Sequence, residues 1–141
     1  MQIIMKKELD ELLCDKYPKI FANRHGDMQT TAMCWGFDCG DGWFALIDHL
    51  CSEIQHHIDH NAKPNTTQFV ASQVKEKYGT LRFYGDGGDD TIDAFVWFAE
   101  SLSGKICETC GNPGKRRGGG WIYTACDEHT NELNLGEINE P

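Results

Sequence analysis

The chain has 141 residues and a formal charge of −9, from 13 basic and 22 acidic side chains. A hydrophobic fraction of 40% with four tryptophans excludes wholesale disorder and suits one domain, or one domain with a small module. The acidic excess opposes binding to phosphate backbones, so a partner with a basic surface is the default expectation.

The opening MQIIMKKELDELL is too charged beyond Met5 for a signal core, and no run approaches the roughly 20 apolar residues of a membrane span. Seven cysteines, an odd number, with no export signal predict reduced thiols and a cytoplasmic location. A short helix is expected from Lys6 to Cys14, ending ahead of Pro18, which disfavours helix at Tyr17. Residues 22–42 are glycine-rich and aperiodic, a long loop with room for one strand. From Trp43 to His60 the periodicity predicts a helix, with Trp43, Leu46, Ile47, Leu50, Cys51, Ile54 and Ile58 on one arc. Asp48, Ser52, Gln55 and Asp59 lie opposite.

NAKPNTT breaks the chain, and Asn65 or Thr66 can cap a helix to Tyr78 that buries Val70, Ala71, Val74 and Tyr78. Gly79 suits its C-terminus. TLRFY (80–84) alternates, with Leu81 and Phe83 on one face, and predicts a strand. GDGGDD is the expected turn; it lacks the ligand pattern and final Glu of a calcium loop. Asp89 or Asp90 then caps a helix to Leu102, with Ile92, Phe95, Val96, Ala99 and Leu102 inward. The tail NELNLGEINEP is polar and expected to fray.

Cys107, Cys110, Cys126 and His129 follow the spacing C-x2-C-x15-C-x2-H, which suits one structural Zn2+. Two residues between ligands let a tight turn bring both side chains to one metal, about 2.3 Å from sulfur and 2.0–2.1 Å from nitrogen. Gly111 gives the turn backbone freedom, GKRRGGGWIYTA can return as a hairpin, and CDEHTNEL can start a short helix. Knuckle, hairpin and helix start, in that order, describe a treble-clef-like zinc finger. The alternative is a disulfide or unrelated thiols. A catalytic zinc keeps an open position beside three protein ligands, whereas this set offers four. No H-x-E precedes Cys107 as a zinc deaminase requires. The hairpin also lacks the histidine of the treble-clef nucleases it resembles in outline.

Together, CGDGWFALIDHLC, QVKEKYGTLRFY and CETCGNPGKRRGGGWIYTACDEH resemble a widespread set of small bacterial and phage proteins, from Cys39 to His129. The resemblance implies an architecture, the four zinc positions and a phage or prophage source, but no mechanism. Residues 1–33 and the tail fall outside it.

Weaker constellations remain. His49, His56 and His60 share one flank of their helix and form a candidate second metal site, a pH-sensitive contact surface, or three boundary histidines. Cys34 and Cys39 can add ligands with Cys51, or Cys51 is core and the other two are loop thiols. Lys115, Arg116 and Arg117 at the hairpin tip, beside Trp121 and Tyr123, can meet phosphate or simply be solvated. Trp97 lies on the polar side of its helix near Ser101. There it is either covered by the zinc module or exposed as a binding anchor.

The expectation is an α+β fold of three or four helices and a short sheet. Residues 1–104 form a mostly helical domain, and 105–141 a zinc module with its tail. No Ser/His/Asp set, P-loop or paired carboxylates mark an active site. The first functional reading is a protein-binding inhibitor or modulator of host or defence machinery. A nucleic-acid-binding regulator comes second, and an enzyme such as a nuclease third.

Overall fold

At the centre of the chain lies a β-hairpin where periodicity predicts a helix. In the computed structural model, which describes residues 3–130, β2 (Thr67–Lys77) pairs antiparallel with β3 (Thr80–Gly88). The helix expected over 65–78 is therefore corrected to a strand. Phe69 and Ala71 are buried, and the next buried residue is Val74. A register shift between Ala71 and Gln73 inserts a bulge, which moves the core side by one residue. The resulting spacing of three mimics a helical period. Tyr78 (φ 53) and Gly79 (φ 83) both take positive φ, as a two-residue hairpin loop demands. Gly79 thus ends a strand, and Tyr78, expected inside, is 62% exposed.

β1 (Phe37–Asp38) joins β2 in parallel, with Phe37 opposite Val74, so the sheet order is β1-β2-β3. β3 continues through most of the expected GDGGDD turn. The helices follow their patterns. α1 (Lys7–Lys16) buries Leu13, and α2 (Phe44–His60) buries Ile47, Leu50, Cys51 and Ile54. α3 (Asp90–Ser103) starts at a cap in which Asp89 Oδ1 accepts the Ile92 N–H at 3.1 Å. It buries Ile92 and Ala99 and half-buries Phe95 and Val96, but Leu102 is left exposed.

Helices and sheet meet in one apolar core that includes Trp43 and four phenylalanines. Phe21 meets Phe37 edge-on at 5.0 Å and Phe83 at 6.3 Å, and Phe69 stacks on Phe83 at 6.0 Å. Arg24 clamps Asp10 through Nε and Nη2 and also donates to the Cys34 carbonyl, tying the long loop to α1. The chain is thus α+β, with three α-helices and two small sheets among the described residues. No helix there is long and apolar enough to cross a membrane. The tail's expected fraying lies outside the described residues.

Candidate metal centre

After α3 the chain turns back on itself. Cys107 donates its N–H to the Asn112 carbonyl at 2.7 Å, and Gly111 (φ +84) donates to the Cys107 carbonyl at 2.9 Å. This closes a knuckle with Cys107 and Cys110 on it. β4 (Lys115–Arg117) and β5 (Tyr123–Ala125) form the hairpin, and one 3-10 turn, Asp127–His129, follows Cys126. The short helix expected here is a single turn among the described residues.

These elements bring the four predicted ligands together, with all four ligand atoms within 4.8 Å of one another. Cys110 Sγ lies 3.7 Å from Cys126 Sγ; His129 Nδ1 lies 3.2 Å from Cys126 Sγ and 3.7 Å from Cys107 Sγ. A tetrahedron with arms of about 2.3 and 2.0 Å has edges of about 3.5–3.8 Å. The donor set therefore fits a four-coordinate metal ion.

Electrostatics point the same way. Burial opposes ionisation of Cys107, but backbone N–H groups of Cys126, Cys110 and Thr109, with the Cys110 thiol, outweigh it and bring Cys107 down to about 6. The Asn112 N–H favours the Cys110 thiolate, yet desolvation and the thiols of Cys107 and Cys126 raise Cys110 overall. A cation removes that conflict, because it allows adjacent thiolates to coexist.

The centre docks on the core through residues that the ligand spacing does not reveal. Glu108 accepts the Gly42 N–H with its carbonyl (2.7 Å) and the Gly40 N–H with Oε2 (2.8 Å). A Cβ at Gly42 would strike the Cys107 carbonyl oxygen, and one at Gly40 the Glu108 carbonyl oxygen. Only glycine permits this approach. Trp43, fully buried, donates Nε1–H to the Ile106 carbonyl at 2.9 Å, and the Thr124 hydroxyl donates to the Gly79 carbonyl. The CGDGW motif is thus the cradle of the knuckle, and its paired glycines were the available signal.

The other candidates fare differently. Lys115, Arg116 and Arg117 stand on β4, and the tip is the glycine run that follows. The expectation of a solvated basic tip fails at Arg117, which is 3% exposed and donates to Ala125 O (2.9 Å) and Asp127 Oδ1 (2.6 Å). Trp121 is half-exposed at 50%. Trp97 is 69% exposed, so the metal module does not cover it.

His49, His56 and His60 are not gathered into one site. His49 faces Glu53 at 3.9 Å, while His56 and His60 hold their rings 4.7 Å apart. Among the described residues, the Cys–His set is the one group of three or more metal-type side chains close enough to share an ion. The histidine that the structure engages is His57, with Nε2 2.8 Å from Asp89 Oδ2. That contact comes first among the causes that hold the Asp89 carboxyl below its usual range. Its place three residues after Ile54, on the core edge of α2, was the signal. Cys39 and Cys51 are both buried in the core, which pushes their thiols well up, while Cys34 is half-buried. Comparison with known protein families, curated proteins and solved structures finds no match, so the likeness to bacterial and phage proteins rests on the quoted motifs alone.

Proposed function

We propose that this chain is a zinc-stabilised binding protein that acts by contact with another protein. Zinc is the metal that best suits three thiolates and one imidazole in a closed tetrahedral set. The order of knuckle, hairpin and terminal turn supports a treble-clef-like module whose metal holds shape, since four protein ligands leave no open position for chemistry. The observation that carries the binding reading is α3, where Trp97 and Phe98 stand side by side at 69% and 64% exposure. Large aromatics held rigidly at a surface are the usual anchors of protein interfaces. The −9 charge favours a basic partner. With the motif resemblance, this makes a phage- or prophage-encoded inhibitor or modulator of host or defence machinery our first reading.

The nucleic-acid reading loses one of its three cations, because Arg117 is buried against Asp127. The test is a pull-down from bacterial lysate with wild-type protein and Trp97→Ala, scored for stoichiometric partners. We expect a partner that Trp97→Ala loses with little change in melting temperature. Salt-sensitive retention of DNA or RNA, with no protein partner, overturns the reading.

A further inference from the structure

α3 is apolar on more sides than its own fold uses. Ile92 and Ala99 face the core, yet Trp97, Phe98 and Leu102 stay open to solvent. Large apolar side chains left together on a helix's solvent side mark a surface that takes a cover. Beside that outer side runs a groove of about 190 Å³ between α2 and α3. Its apolar walls are Leu46 and Leu50 of α2 with Phe95, Phe98, Ala99 and Leu102 of α3, and His49 and Glu53 line its α2 side as well.

Charge identifies the cover. α2 carries Asp48, Glu53 and Asp59, and α3 carries Asp90, Asp93 and Glu100, while neither helix has a Lys or Arg. Asp48 is met by Lys16 at 2.7 Å and Glu100 by the Phe83 N–H at 2.8 Å. The surplus is still negative, and Glu53 lines the groove itself, with only the His49 ring facing it at 3.9 Å. A second copy would bring the same carboxylates face to face, which is repulsive. A third helix laid along two packed helices fills such a groove with one apolar stripe.

We propose that the α2–α3 groove receives a cationic amphipathic helix of the partner protein. Its apolar stripe sits against Phe98 and Leu102, and flanking Lys or Arg side chains reach Glu53 and its neighbours. This rests on the protein-binding reading and adds the site and the chemistry of the occupant. The groove is distinct from the metal centre and does not require it to react.

The test uses the intact, metal-loaded protein and two synthetic helices of about 18 residues. One is built from Leu and Lys in an amphipathic pattern; the other has Glu in place of Lys. By calorimetry the Leu–Lys helix should bind with an affinity that falls as salt rises, and the Leu–Glu helix should not bind. Phe98→Ser should weaken the Leu–Lys helix at least about tenfold. Phe98 is largely exposed, so the melting temperature should hold. Glu53→Lys, on the rim, should weaken binding without touching the apolar wall, and it carries the test if Phe98→Ser misfolds. Leu–Lys binding indifferent to these substitutions overturns the proposal, since it is then diffuse charge attraction. So does a dimer in sedimentation that Phe98→Ser dissociates, because the cover is then a second copy. A lysate partner lost by Trp97→Ala but kept by Phe98→Ser and Glu53→Lys sinks the groove and leaves the binding reading standing. The absence of any stoichiometric protein partner sinks that reading, whatever the peptides do.

Discussion

Glu108 is a buried carboxylate, 4% exposed, next to a metal-type cysteine. Burial comes first among the causes that push its carboxyl up to about 7; the Gly40 N–H resists, and the carboxylates of Glu76 and Asp38 add to the rise. Its ordinary value is 4.5. Between these two values the folded protein holds a proton that the unfolded chain has lost, so folding stability falls as pH rises through the window. Glu108→Gln keeps an acceptor for the Gly40 N–H and removes the buried charge. We expect the variant to match wild type near the acid end of the window and to exceed it near pH 8, by roughly 2 kcal/mol. Parallel melting curves across that range would contradict the burial argument. No pattern around Glu108 in the sequence announces this; a lone Glu between two ligands looks like solvent-facing filler. Trp97 is the opposite case, because its place opposite the apolar stripe already posed the choice, and its exposure removes cover by the metal module.

The elements were legible where one periodicity ran uninterrupted, as in α2 and α3. β2 failed because a bulge between Ala71 and Gln73 changes which side faces the core, and the alternation that marks a strand is broken at its middle. The YG pair between two short runs was the stronger cue, since both residues sit at positive φ in the hairpin. That Cys107, Cys110, Cys126 and His129 come together was legible from spacing alone, but their docking was not, because it depends on what Gly40 and Gly42 lack. That gives a sharp contrast between glycines. Gly42→Ala drives a Cβ into the Cys107 carbonyl, whereas a Cβ at Gly119 meets nothing within 4 Å. Gly42→Ala should cost at least about 2 kcal/mol and weaken metal retention, and Gly119→Ala should be near neutral. Equal melting temperatures and metal content for the two variants would show that the knuckle does not seat on the CGDGW segment.

Across the whole molecule, the metal centre and the helical core share hydrogen bonds and are bound to respond together. The Trp43 indole N–H and the Gly40 and Gly42 N–H groups all find their partners in residues 106–108. Stripping the metal by chelator, or replacing Cys110 by Ser, should therefore lower one cooperative transition, by more than about 10 °C. Helical ellipticity and the near-ultraviolet signal of Trp43 should fall at the same temperature. Two separated transitions, or a core indifferent to chelation, would mean that the module is an appendage.

The bond from Gly40 to Glu108 spans 68 positions of sequence, and that from Trp43 to Ile106 spans 63. A ribosome adding about 5–20 residues per second needs on the order of 3–14 s to cover that interval. Until then the Trp43 indole N–H and the Gly40 and Gly42 amides lack their folded-state acceptors and donate to water. The seat of the knuckle on the CGDGW segment can thus form only once residues 106–108 have been made. A stalled or shortened translation product would present an open indole, together with the Cys39 and Cys51 thiols, to the folding machinery of the cell.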